Sequence, residues 1–309
     1  MDVYGARGFE NATRRHYGQI SARLRQPSPS SACAWYLGSP HACAGRNGSA
    51  STTASATMRL AADQNIFFVG DSISMQHFRS TACQLSAVQP APPLVQFNAH
   101  QGSTCGAWGH GRGRVCFVRA GGNATGWTVG RAIALLATLV HDGDVIVANE
   151  GLHHRALHQS TAASEMAAVG DLARGVDALR GRRVTLLWRE TTAQHFDTPT
   201  GQYKPTGCVF GRKCGTCRPL VNASVQRERN EQSHAVVRAL GVPILASFEA
   251  SMTMWDEHVE RHGSVKHGQT RGLGGVAALD CTHFCEPARL FDSLTRRLLV
   301  LAGVSALRL

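Results

Sequence analysis

The stretch Asn65-Ile66-Phe67-Phe68-Val69-Gly70-Asp71-Ser72-Ile73-Ser74-Met75-Gln76 reads as a buried strand, an abrupt turn and the opening of a helix. Four consecutive apolar residues ending at a glycine mark a strand covered on both faces rather than one facing water. The helix predicted from Ser72 to Leu85 is opened by small polar residues. The same strand-turn-helix rhythm recurs downstream. Val129 to Val140 is predicted helical, Asp144-Val145-Ile146-Val147-Ala148-Asn149 follows a glycine turn as a strand, and Ala162 to Leu179 is an amphipathic helix. Strand Val184-Thr185-Leu186-Leu187-Trp188, helix Val225 to Leu240, strand Val242-Pro243-Ile244-Leu245-Ala246 and a last helix from Ala288 to Leu301 complete the series. Four β runs alternating with helices predict an α/β fold, a parallel sheet with helices on both faces and functional loops at the carboxyl ends of its strands.

Two segments break the rhythm. From the 90s into the 120s, Pro90, Pro92 and Pro93 and then the glycines from Gly102 to Gly113 predict an irregular excursion held by Cys105 and Cys116, and Tyr203 to Arg218, with Cys208, Cys214 and Cys217, is a second. Loops of this length in a compact domain serve as functional rims or disulfide-held caps. The organisation expected for the 309 residues is a leader over 1–60 and one catalytic domain over 61–309. Within the leader Pro27-Ser28-Pro29-Ser30-Ser31 reads as linker, and Cys33 and Cys43 suggest a small stapled flap.

Lys and Arg number 32 against 21 acids, a formal charge of +11, and the pI is about 9.6. Such a field attracts anionic glycans, membrane surfaces or nucleic acid. The basic residues are scattered, without a recognition helix or a stacking motif, so a solvated basic surface is expected and nucleic-acid binding is not. No apolar run approaches membrane-spanning length; the best, Ala132 to Val140, is cut by His141-Asp142-Gly143-Asp144.

Ten cysteines and four glycosylation sequons, at Asn11, Asn47, Asn123 and Asn222, favour an oxidising lumen and a glycoprotein. Met1 to Gln26 carries charges throughout and has no apolar core for a signal or anchor, so either that part lies outside this sequence or the compartment is different. A zinc site built on Cys214-Gly215-Thr216-Cys217 and Cys281 to Cys285 is the rival account of the cysteines, but it leaves six others unexplained. Disulfides are simpler, and neither a metal nor a bound cofactor is expected.

Gly70-Asp71-Ser72 stands where the first strand stops, so the serine projects from a strand-to-helix turn with its own N–H and the helix N-terminus aimed at a developing oxyanion. A plain helix cap, Ser72 with Asp71 beside it, is the alternative. The absence of G-x-S-x-G excludes the α/β-hydrolase elbow. A serine nucleophile needs a histidine base, and the base needs an acid to hold its tautomer. Asp280-Cys281-Thr282-His283 supplies both, in what reads as a loop before the last helix.

Ser72 followed late in the chain by Asp-x-x-His resembles the SGNH hydrolase superfamily, with Asn149-Glu150-Gly151 where those enzymes carry an oxyanion-hole asparagine. A narrower resemblance follows from four ordered segments. Gly70-Asp71-Ser72-Ile73 with Ser80-Thr81-Ala82-Cys83 looks like the GDSL-x(6)-S-x-x-C segment of the plant trichome-birefringence-like proteins of the PC-esterase group. Asp144 to Gly151 is similar to their DVLVFNTG strand, Trp188-Arg189-Glu190-Thr191-Thr192-Ala193-Gln194-His195-Phe196 to their FRTxSPxHF, and Asp280 to Cys285 to their DCSHWC.

The resemblance implies a three-layer SGNH/flavodoxin-like fold and a polysaccharide O-acetyltransferase of the Golgi lumen working through an acetyl-serine intermediate. The catalytic set would be Ser72, Asp280 and His283, with Gly70, Asp71, Asn149 and Gly151 around the oxyanion. Arg189 and His195, at the end of the third strand, are placed to hold an acceptor hydroxyl or the anionic part of an acyl donor, a structural ion pair with Glu190 or another acid being the alternative. Acetyl-CoA or another activated acetate would be the donor and a polysaccharide or oligosaccharide the acceptor. Membrane association through an anchor preceding this sequence is implied too. Where the family has GHWW this chain has Leu152-His153-His154-Arg155, so glycan-contacting aromatics are absent or moved. A carbohydrate acetylesterase, with water replacing the sugar, and an inactive glycan-binding protein are the alternatives.

Overall fold

Strand β1 (Ile66–Gly70) is buried along its whole length and sits at the centre of a seven-stranded sheet. In the computed structural model of the chain the described residues are 57, 61, 63–86, 95–98, 103–107, 113–121, 128–150, 162–202, 217–261, 278–284 and 289–303; for 95–98, 162–168, 259–261, 278–280 and 289 the backbone alone is described. The sheet runs β2 (Val95–Asn98), β3 (Ser103–Gly106), β4 (Val115–Arg119), β1, β5 (Val145–Ala148), β6 (Thr185–Arg189), β7 (Ile244–Leu245). β4, β1, β5, β6 and β7 are parallel, whereas β2 and β3 join antiparallel at the edge. The sheet is therefore mixed and mostly parallel, and the expected irregular excursion contributes three of its strands. The Cys105–Cys116 disulfide links directly paired residues of β3 and β4.

Alternation along the parallel strands feeds two cores. Ile66, Phe68, Val145, Val147 and Leu187 pack with helix α1 (Ser72–Ser86) and helix α6 (Arg289–Leu301) on one face. Phe67, Val69, Ile146, Ala148 and Trp188 pack with α2 (Val129–Leu136), α3 (Ala162–Ala178) and α4 (Ser224–Ala239) on the other. A strand whose two faces are both covered has no reason to alternate polar with apolar, which explains the continuous apolar runs. Helix α2 stops at Leu136, four residues short of the reading from sequence.

Outside the main sheet, after a short helix α5 (Phe248–Met252), β8 (His258–Arg261) pairs antiparallel with β9 (Ala278–Phe284). The Asp280-to-His283 segment is thus on a strand, not in a loop. Its ladder is broken: His258 faces Phe284 while the next residue, Val259, faces Asp280. Cys281, Thr282 and His283 consequently bulge without opposite numbers in β8, a device that re-aims side chains. The leader with Cys33 and Cys43 lies outside the described residues, apart from Thr57.

Candidate active site

Four elements converge at the carboxyl end of β1. Gly70 has φ +148°, and a Cβ there would fall 2.2 Å from the Asn149 carbonyl oxygen and 2.5 Å from Ser74 Oγ. Only glycine lets the ends of β1 and β5 come this close to the turn. Asp71 then caps helix α1: its carbonyl accepts the Met75 N–H at 3.1 Å and its Oδ1 accepts the Ile73 N–H at 2.9 Å. Because Asp71 does the capping, the hydroxyl of Ser72 is left for another partner. That partner is His283, whose Nε2 lies 2.7 Å from Ser72 Oγ across 211 positions of sequence. Both side chains are partly exposed.

The bulge that carries His283 is tied down from four sides. Gln76 lies on the helix face of Ser72 one turn on; its Nε2 donates to the Phe284 carbonyl at 2.6 Å and its Oε1 accepts the Phe284 N–H at 3.2 Å. His258 Nδ1 lies 3.0 Å from the His283 carbonyl oxygen. Gln194 Nε2 donates to Thr282 Oγ1 at 2.9 Å, and the His195 N–H to the Cys281 carbonyl at 3.0 Å. Cys281 is also disulfide-bonded to Cys217, so neither is a free thiolate for a zinc site. Among the described residues no group of three or more His, Cys, Asp or Glu could hold a metal ion.

The segment after β6 is buried from Trp188 to Phe196. Buried irregular backbone must find partners, and here side-chain amides supply them. Asn230 exchanges two hydrogen bonds with the Thr191 main chain (2.9 and 3.0 Å), Gln226 exchanges two with that of Gln194 (2.8 and 3.0 Å), and Ser251 Oγ accepts the Ala193 N–H at 2.8 Å. Glu190 caps α5, accepting the Ser247 and Phe248 N–H groups at 2.8 Å each.

Arg189 and His195, expected to meet substrate, are 1% and 0% exposed, so neither offers surface to an incoming ligand. The Arg189 Nη2 donates to Ser74 Oγ at 3.2 Å beneath the turn. Burial lowers its pKa to about 10, opposed by the negative charge of Asp71. Asn149 is equally buried; its Nδ2 donates to the Arg189 carbonyl at 2.8 Å and, weakly, to Thr191 Oγ1 at 3.4 Å. Next to it, burial raises Glu150 to about 7 against the pull of the Val129 N–H, with Asp171 and Asp71 adding to the rise.

Of the residues singled out from sequence, Ser72, Asp71, Gly70 and His283 meet at one place, and Asn149 borders it. The backbone of Asp280 lies on β9, but its side chain, like all of Gly151, His153 and His154, lies outside the described residues. Sequence reasoning missed Gln76, Gln194 and His258. Gln76 carried a signal, four places after Ser72 on a helix, whereas the other two bond to partners distant in the chain. Compared with family models and with curated proteins, the chain matches none significantly.

Proposed function

We propose that the chain is an SGNH-type acyl-ester enzyme, a polysaccharide O-acetyltransferase with Ser72 as nucleophile and His283 as base. The observation that carries the reading is the 2.7 Å contact between Ser72 Oγ and His283 Nε2 at the carboxyl end of a parallel sheet. With Nε2 unprotonated, the hydroxyl donates to it and is ready to lose its proton as it attacks an acetyl carbonyl. The oxyanion then forms beside the first turn of α1, where the Ser72 N–H has no carbonyl four residues back to bond. Asp280 holds the imidazole tautomer, and Asn149, as buried as Arg189 and hydrogen-bonded to its carbonyl at 2.8 Å, braces the oxyanion hole from beneath. Arg189 acts from below as the counter-charge of Asp71, not as a substrate clamp.

Collapse of the tetrahedral intermediate breaks the bond between the acetyl carbonyl and the donor's leaving group, which departs with the proton held by His283; a sugar hydroxyl, or water in the esterase reading, then gives its proton to His283 and attacks the acetyl-serine, and Ser72 leaves as the hydroxyl with that proton. The resemblance to trichome-birefringence-like proteins favours transfer. Work in the Golgi lumen or elsewhere in the secretory pathway fits the disulfides Cys105–Cys116 and Cys217–Cys281 and the exposed Asn222 sequon. Among the described residues no helix is long and apolar enough to cross a membrane.

Intact-mass spectrometry after brief exposure to an activated acetate ester tests the nucleophile. One acetyl adduct, lost in Ser72→Ala, is expected; an adduct that survives the substitution sinks the assignment. Adding xylan or pectin oligomers separates the reactions, since acetylated oligomers mean transfer and loss of donor without product means hydrolysis. A Ser72→Ala protein with undiminished activity and intact glycan binding would establish the binding-protein alternative.

A further inference from the structure

Behind the base, two imidazoles touch. His195 Nδ1 lies 2.6 Å from His258 Nε2, His195 Nε2 lies 3.0 Å from the Met252 carbonyl oxygen, and His258 Nδ1 lies 3.0 Å from the His283 carbonyl oxygen. A carbonyl oxygen only accepts, so each outer nitrogen carries a proton. The inner pair of nitrogens forms a hydrogen bond only with a proton between them. Three protons on two imidazoles make one positive charge. Remove one proton and, whichever tautomers result, one of the three contacts becomes lone pair against lone pair.

We infer that His195 and His258 share a proton as a singly charged pair that positions His283 through its main chain, and that discharging the pair loosens the catalytic base. This rests on the proposed roles of Ser72 and His283. The grip matters because residues 281–283 lack ladder partners in β8. His258 supplies a side-chain bond where the ladder fails, and a charged donor makes the stronger one. Its ring is also seated on Phe284, centroids 4.5 Å apart and planes at 30°. His195 completes the frame by donating its own N–H to Cys281.

Two opposing effects set how readily the pair gives up its charge. Burial pushes the His195 pKa below the ordinary histidine value, and the hydrogen bond to the Met252 carbonyl pulls it up. The charged or titratable groups on the packed elements are Asp197 and Arg218, ion-paired at 3.2 Å, Glu249 on α5, paired with Arg227, Asp256 and Glu257 before β8, and Asp280 and His283 on β9. The titration is followed from about pH 5 to 8, the range over which histidines ordinarily change charge.

Nuclear magnetic resonance of histidine-labelled Ser72→Ala protein tests the pair without turnover. One exchangeable proton far downfield of the amides, coupled to both imidazoles, is expected at the acidic end and is lost in one titration as pH rises. His283 ring signals should move with the same midpoint. His258→Asn keeps a donor for the His283 carbonyl but removes the inner contact, so the downfield proton should vanish. Its absence throughout the window, its survival in His258→Asn, or His283 signals indifferent to its titration would overturn the inference.

Turnover of an acetyl ester by the otherwise wild-type enzyme adds a second reading. An alkaline fall in kcat of about ten-fold, the worth of one hydrogen bond, is expected and should disappear in His258→Asn. An identical pH profile in that variant counts against positioning. A shared proton in a protein that turns over no acetyl ester supports the pair while sinking the roles of Ser72 and His283.

Discussion

Replacing Gln76 by Met removes the two-point clamp on Phe284 while keeping side-chain length. Gln76 is 5% exposed, and both of its bonds, at 2.6 and 3.2 Å, go to the main chain of Phe284, the residue after the proposed base. A buried hydrogen bond contributes about 1 kcal/mol net, and main-chain groups left short of partners add about 1–3 kcal/mol, so a loss of about 2–4 kcal/mol of stability is expected. The effect on rate should be larger in proportion, because a displacement of about 1 Å in a reacting group costs about 100-fold. Urea denaturation and acetyl-ester turnover of wild type, Gln76→Met and Gln76→Glu measure both. The glutamate can still accept the Phe284 N–H, but its charged form faces the Phe284 carbonyl without a proton to give. Its deficit should therefore narrow as pH falls and the carboxyl becomes protonated. A Gln76→Met protein within about 0.5 kcal/mol of wild type, with turnover reduced less than about three-fold, would refute the view that this amide aims the base.

Opening the Cys217–Cys281 bridge by a Cys217→Ser, Cys281→Ser double substitution releases a closure of 64 residues, worth about 4 kcal/mol of unfolded-chain entropy; calorimetry should show a matching fall in Tm, and an unchanged Tm would contradict it. Glu150 is raised from 4.5 to about 7, mainly by burial, so the native state holds its proton more tightly than the unfolded chain does. Its contribution is full below about pH 4.5 and lost as pH rises through 7, on the order of 3 kcal/mol. Glu150→Gln should flatten the stability-pH curve over that window in denaturant titrations, and a curve of unchanged slope would count against it.

The central strands were legible because they are buried on both faces: Ile66 to Val69, Val145 to Ala148 and Leu186 to Trp188 had to be apolar runs. β4 was not, although Val115-Cys116-Phe117-Val118 is such a run, because glycines before it made the region read as loop. β3, Ser-Thr-Cys-Gly, has no apolar pattern at all, being an edge-side strand held by a disulfide. The pairing of Ser72 with His283 could be anticipated from chemistry, since a serine nucleophile requires a base. The bulge in β9 could not, because it is defined by what β8 fails to pair with. Arg189 and His195 read as ligand contacts because a guanidinium at the end of a strand near the site could hold an acceptor hydroxyl or a donor's anionic part. Here they serve the interior, hydrogen-bonded to groups far away in sequence. Residue type told that these side chains needed partners, and only the fold told which.

The hydroxyl and the imidazole enter the growing polypeptide 211 positions apart, so a ribosome releases one long before the other. Closing so wide a span costs entropy that must be met before any reward arrives, which makes such contacts late events. All seven strands of the sheet centred on β1 precede β9 in the chain, whereas α6, which covers one of its faces, follows. On the roles proposed for Ser72 and His283, a chain whose strands have formed stays chemically silent until β9 and α6 are in place, so recovery of turnover is a stricter gauge of completed folding than recovery of secondary structure.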